Sequence, residues 1–173
     1  MLYKNLEGYY TLIGAKVKAE LEQVAFDLAL NEFNLHNYNI VKVSSILPKG
    51  FRYSERLEKL PEEGEVLYMA YIWHYFRKED ILKHFDETFS AGVLVVESQN
   101  VNQVGLILEA SGFYDKTTLR EMLLKNANLL LRKRTGFKPK EMRFEIVETK
   151  FIEKKDNYFV FEPFGVLVGV VLW

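Results

Sequence analysis

Two adjacent serines, Ser44 and Ser45, stand in "NYNIVKVSSILPKG" (Asn37 to Gly50), where an alternating, strand-like run meets Pro48. Such a pair can carry out one distinctive piece of chemistry. The hydroxyl of the second serine attacks the carbonyl carbon of the first, and the peptide becomes an ester by an N-to-O acyl shift. β-Elimination breaks the ester and leaves dehydroalanine, whose hydrolysis yields a pyruvoyl group at a new chain end. That electrophilic carbonyl forms a Schiff base with an amine and fills the electron-sink role usually taken by pyridoxal phosphate. Adjacent serines are also common at strand ends and turns, so the pair alone leaves both readings open.

Two carboxylates have suggestive surroundings. Asp27 lies inside the apolar stretch "VAFDLAL", and Glu109 ends the apolar run "VGLILE". An acid among apolar neighbours is costly unless paired, hydrogen-bonded or neutral, and functional pKa shifts are arranged in such places. The plainer alternative is a helix-surface aspartate and a strand-end glutamate facing water. Of the three histidines, His36, His74 and His84, none is spaced with another as a metal set, and the aromatic neighbours of His74 favour packing. No Gly-x-Ser-x-Gly marks a nucleophile elbow, and Gly8 and Gly14 are too far apart for a phosphate loop. The absence of cysteine excludes disulfides, thiolate catalysis and cysteine-ligated zinc.

The elements that must hold these residues follow from composition and periodicity. A chain of 173 residues, 49% apolar and 27% charged, suits one globular domain over 1–173. Its net charge of -1 argues against a general nucleic-acid binder, and "RKR" at Arg132 to Arg134 reads as the exposed end of a helix. The opening "MLYKNLEGYY" lacks the pattern of a secretory signal, and no apolar run approaches the ~20 residues of a membrane helix. The expectation is a cytoplasmic protein with neither membrane nor nucleic-acid partner.

Aromatic and β-branched residues predict a first strand over Gly8–Ile13. Helical spacing of Val17, Leu21, Val24, Leu28 and Phe33 predicts a helix of roughly four to five turns within 16–34. A single strand is expected over Asn39–Ile46, an exposed loop over 49–65, a long strand over Glu65–Phe76, and a short charged helix within 77–87. Strands at 89–98 and 104–111 precede an amphipathic helix capped by Asp115 and stopped at Gly136. Two closing strands, 142–154 and 158–173, flank the turn "KKDN". Helices covering mostly antiparallel sheets predict an α+β sandwich.

"AFDLAL" (25–30), "NIVKVSSILP" (39–48), "GLILEASGF" (105–113) and the closing "VGVVLW" occur in that order. Together they resemble the pyruvoyl-dependent arginine decarboxylases. The resemblance implies an αββα sandwich and a homotrimer of αβ units with active sites between neighbouring subunits. It implies cleavage between Ser44 and Ser45 into a β chain of residues 1–44 and an α chain of residues 45–173. The cofactor would be a covalent pyruvoyl group derived from Ser45, with no metal and no pyridoxal phosphate. Glu109 matches the family's proton donor, Asn39 the asparagine that lines the site and assists processing, and Asp27 the aspartate that meets the substrate guanidinium. The implied reaction converts L-arginine to agmatine and carbon dioxide. Two alternatives stay open: the same chemistry on another amino acid, or an unprocessed, non-catalytic oligomeric homologue. The chain departs from the family pattern at Lys49, at "LHNY" before Asn39, and in the longer connection from Arg77 to Thr88.

Overall fold

The alternation of "YYTLIGAKVK" persists for ten residues, and β1 spans Tyr9–Lys18 in the computed structural model, which describes residues 7–173. β2 (Asn39–Lys42), β3 (Ile46–Leu47), β4 (Arg52–Tyr53) and β5 (Val66–Phe76) come next, with α1 (Glu22–Asn31) between β1 and β2. The short α2 (Lys78–Lys83) leads into β6 (Thr88–Ser98) and β7 (Gly105–Gly112). After α3 (Lys116–Arg132) come β8 (Pro139–Lys150), β9 (Glu153–Lys155), β10 (Tyr158–Val160) and β11 (Phe164–Leu172).

These strands form two main sheets. The first has the order β2-β5-β11-β1-β4, and the second β3-β7-β6-β8. β11 pairs antiparallel with β1 from Leu172↔Tyr10 to Phe164↔Lys18, and on its other side with β5. All nine of its residues are buried, which explains the unbroken apolar run "FGVLVGVVL": both faces of a central strand are covered. Among the described residues only the short edge pairings, β2 with β5 and β4 with β1, are parallel.

The sheets stack face to face through Ala70, Val93, Val95, Ile107, Val166 and Val168. α1 covers the outer face of the first sheet through Ala25, Ala29 and Leu30, which meet Leu67, Met69 and Leu167. α3 covers the outer face of the second through Leu119, Leu123 and Ala127. The layers are therefore α1, sheet, sheet, α3: an α+β, αββα sandwich with mostly antiparallel sheets. Asp115 caps α3 as expected, accepting the Thr118 N–H at 2.7 Å, and Gly136 adopts the left-handed conformation beyond the helix end (φ 77°).

Three expectations need correction. The first helix begins later than its apolar spacing predicts, because Val17 belongs to β1 and points into the α1 side of the core. α1 also buries a different face: Leu21, Val24 and Leu28 are exposed, and the small Ala25 and Ala29 make the close approach to the sheet. The two closing strands are four, and the KKDN turn joins only the short middle pair. β8 pairs with β6 and β11 with β1 and β5, and the chain passes between the sheets through a separate β9–β10 hairpin turned at Asp156 (φ 47°). The third correction concerns the strand over Asn39–Ile46, and it defines the site.

Candidate active site

That segment is two strands in two different sheets. β2 ends at Lys42, and the Val43 N–H still donates to Met69 O of β5 at 3.0 Å. Two residues later the Ser45 carbonyl accepts from the Ile107 N–H of β7 at 2.9 Å, and β3 continues along β7 with Ile46 opposite Leu106. Ser44–Ser45 is therefore where the chain crosses from one sheet to the other. Within the crossing the Ser44 carbonyl accepts from the Ile46 N–H at 2.8 Å, a three-residue turn centred on Ser45. Both serines are exposed.

Beyond the crossing the outer edges of β5 and β7 carry no further strand among the described residues. β2 covers β5 only over Val66–Met69, and β3 covers β7 only over Gly105–Leu106. A slot between two free edges thus opens from Ser45. Ile107 faces the layer between the sheets, whereas Leu106 and Leu108 face α3, so Glu109 and Ser111 alternate onto the same inter-sheet side as Ile107. Glu109 lies two residues along β7 from the N–H that anchors Ser45. Its side chain reaches solvent at the slot, yet burial against the apolar layer pushes its carboxyl above the usual carboxylate range, partly opposed by the positive charge of Lys42. Lys42 itself lies over the Tyr71 ring, 4.7 Å from its centroid.

The far end of the slot holds a contact the sequence did not suggest. His74 Nε2 on β5 and Ser111 Oγ on β7 share a 2.9 Å hydrogen bond between the two sheets. Burial lowers the His74 pKa, and the ring packs edge-on against Phe89. The aromatic setting of His74 did point to packing. Its partner was findable only from Ser111 lying at period two from Ile107.

Asn39 and Asp27 lie elsewhere in the chain. The Asn39 amide donates to Gly64 O at 2.6 Å and its backbone N–H to Glu65 O at 2.9 Å, tying β2 to the turn before β5. Three strand steps of ~3.3 Å separate Asn39 from Lys42, so it sits roughly 10 Å upstream of that end of β2. Asp27 is exposed on α1, on the outer side of the first sheet, and its side chain makes no hydrogen bond or ion pair with another described residue. One chain thus brings together Ser44, Ser45 and Glu109, and leaves Asn39 and Asp27 on other parts of its surface. A groove of about 480 Å³ between residues 47–52 and 97–105 includes none of the five.

The family model described as pyruvoyl-dependent arginine decarboxylase matches residues 9–173, nearly the whole described chain. The chain belongs to this family. A pyruvoyl-dependent arginine decarboxylase of Thermococcus sibiricus is 28% identical over 162 residues, covering 93% of this chain and 92% of its own. The enzyme of that name from Pyrococcus furiosus is 30% identical over 143 residues, covering 83% and 85%. That of Thermococcus kodakarensis is 36% identical over 101 residues, covering 58% and 59%. The residues at the crossing fit the pyruvoyl group that the family name carries. A serine hydroxyl follows a carbonyl held in a tight turn, and a carboxyl whose pKa burial raises lies two residues along β7 from the N–H that anchors that turn. No helix among the described residues is long and apolar enough to cross a membrane.

Proposed function

We propose that this chain is a self-processing decarboxylase acting in the cytoplasm on L-arginine, releasing agmatine and carbon dioxide. The observation that carries the reading is the position of Ser44–Ser45 at the sheet crossing, where Glu109 lies two residues along β7 from the N–H that anchors Ser45. Ser45 is the precursor of the pyruvoyl group, and the cut falls between Ser44 and Ser45. The single domain, 1–173, thereby becomes a small chain of residues 1–44 and a large one of residues 45–173. The small chain stays attached, because β1 is paired along its length with β11 and β2 lies against β5.

Once formed, the pyruvoyl group would supply an electrophilic carbonyl for the substrate amine and an electron sink for the pair left on the α-carbon as carbon dioxide departs. The protein's own residues do the rest. Glu109 gives a proton to the α-carbon that has lost its carboxylate, a task suited to a carboxyl whose pKa burial raises. Asp27 accepts two parallel hydrogen bonds from the guanidinium, which favours a long cationic substrate. Asn39 lines the site and assists processing.

Asp27 and Asn39 reach that site from a neighbouring copy, in a homotrimer with sites between subunits. What supports an assembly is the exposed apolar surface near these residues in sequence. Leu21, Val24 and Leu28 flank Asp27, and Val41 and Ile46 flank the path from Asn39 to Ser45.

The direct test is intact-mass analysis under denaturing conditions. Fragments of 44 and 129 residues are expected, since 173 - 44 = 129, the larger without a free amino terminus. A purified, incubated chain that stays at 173 residues overturns the reading. Asp27→Ala separates arginine from other substrates. Processing should proceed normally, while kcat/KM for arginine falls about 100-fold, the loss of a charge-assisted pair of roughly 3 kcal/mol. Unchanged arginine turnover in this variant would move the assignment to another amino acid.

A further inference from the structure

The acyl shift at the crossing places negative charge on one atom, the Ser44 carbonyl oxygen, as the Ser45 hydroxyl adds to its carbon. We infer that the backbone N–H of Ile46 is the donor that stabilises this oxyanion. The inference rests on the self-processing reading and assigns a catalytic group within it.

The Ile46 N–H lies 2.8 Å from the ground-state Ser44 O, the atom on which the charge develops. It is committed there, closing the turn around Ser45, and so is ready before the reaction starts. The flanks cannot easily relax the turn. Val43 N–H is held by Met69 O at 3.0 Å and Ser45 O by Ile107 N–H at 2.9 Å, from two different sheets. A donor fixed by both sheets needs little reorganisation as charge develops. The Asn39 amide, to which the family resemblance gives a part in processing, donates to Gly64 O at 2.6 Å in this chain and makes no hydrogen bond to Ser44 O.

The Ser45 Oγ–C(Ser44) bond forms and the C(Ser44)–N(Ser45) bond breaks, the hydroxyl proton passing to the freed Ser45 nitrogen. Elimination removes the Ser45 α-proton and breaks Cβ–Oγ, releasing residues 1–44 with a terminal carboxylate. Addition of one water to the resulting dehydroalanine, after tautomerisation, expels ammonia and leaves the pyruvoyl group. The Ile46 N–H acts only in the first step.

Ile46→Pro deletes this N–H. The position tolerates proline, because Ile46 is on an edge strand, is partly exposed, and spends its N–H inside the turn and not on β7. Proline also restricts the residue before it. A full-length chain assembled by ligation with the α-hydroxy analogue of isoleucine at position 46 removes the N–H without a ring.

Appearance of the 129-residue fragment should be about 100-fold slower in Ile46→Pro and the hydroxy analogue than in the unsubstituted chain. Adventitious hydrolysis of the analogue's own ester gives fragments of 45 and 128 residues (173 - 45 = 128) and is distinguished by mass. Hydroxylamine, which cuts the Ser44–Oγ ester, should release residues 1–44 more slowly in parallel. Retained hydroxylamine cleavage with slow spontaneous cleavage would assign the N–H to elimination and overturn the inference. So would wild-type cleavage rates in the hydroxy analogue. A wild-type chain that never cleaves instead removes the self-processing reading beneath it.

Discussion

Ser45→Ala leaves a single chain of 173 residues and no decarboxylation, whereas Ser44→Ala still cuts. The contrast follows from what each serine contributes. The shift needs a hydroxyl on the residue after the attacked carbonyl and nothing from the side chain before it. Ser44 supplies only its backbone carbonyl, already polarised by the Ile46 N–H at 2.8 Å. Loss of the nucleophile removes the cofactor itself, so the effect on turnover is complete and not a graded change in kcat. Folding should be untouched: Ser45 is exposed, and its structural hydrogen bond uses its backbone carbonyl. Equal thermal unfolding of the two variants, with cleavage in one only, checks the assignment. Cleavage in Ser45→Ala, or loss of cleavage in both variants at unchanged stability, would break it.

The serine pair, the two acids and the order of the blocks were legible in the sequence, because each depends on residue type and local spacing. What was not legible is where the chain changes sheets. "NIVKVSSIL" alternates as one strand would, and nothing local marks the point where its partner changes from β5 to β7. That exchange is a tertiary event, fixed by Met69 O on one side and Ile107 N–H on the other.

The α1 error has a related cause. Leu21, Val24 and Leu28 satisfy helical periodicity as well as any core face does, yet the buried face is Ala25, Ala29 and Leu30. Periodicity finds an apolar stripe but does not say whether this sheet or another surface covers it. Asp27 lies beside the exposed stripe, so its apolar sequence neighbours reflect an outward face and not burial in this chain. Glu109 is the opposite case. Period-two alternation from Ile107 carries it to the inter-sheet side, where its surroundings do alter its acidity.

That altered acidity governs the second large effect. Glu109→Gln should still yield the 44- and 129-residue fragments, while kcat falls by at least about 100-fold, the usual scale of a general acid. Glutamine keeps the shape and a hydrogen-bonding group but has no proton to give. The pH dependence tests the role more sharply than the rate. A proton donor acts in its protonated form, so wild-type kcat should be sustained at low pH and fall as pH rises through the Glu109 pKa. Burial raises that pKa and thus moves the falling limb upward, and the Lys42 charge restrains the movement. In Glu109→Gln this limb should vanish, leaving a low rate without it. If the limb persists, another group donates the proton; if kcat stays at the wild-type value, Glu109 has no part in the proton transfer. Retained cleavage in the same protein separates both outcomes from a failure to form the cofactor, since Glu109 lies beside the crossing but makes none of the hydrogen bonds that hold the Ser45 turn.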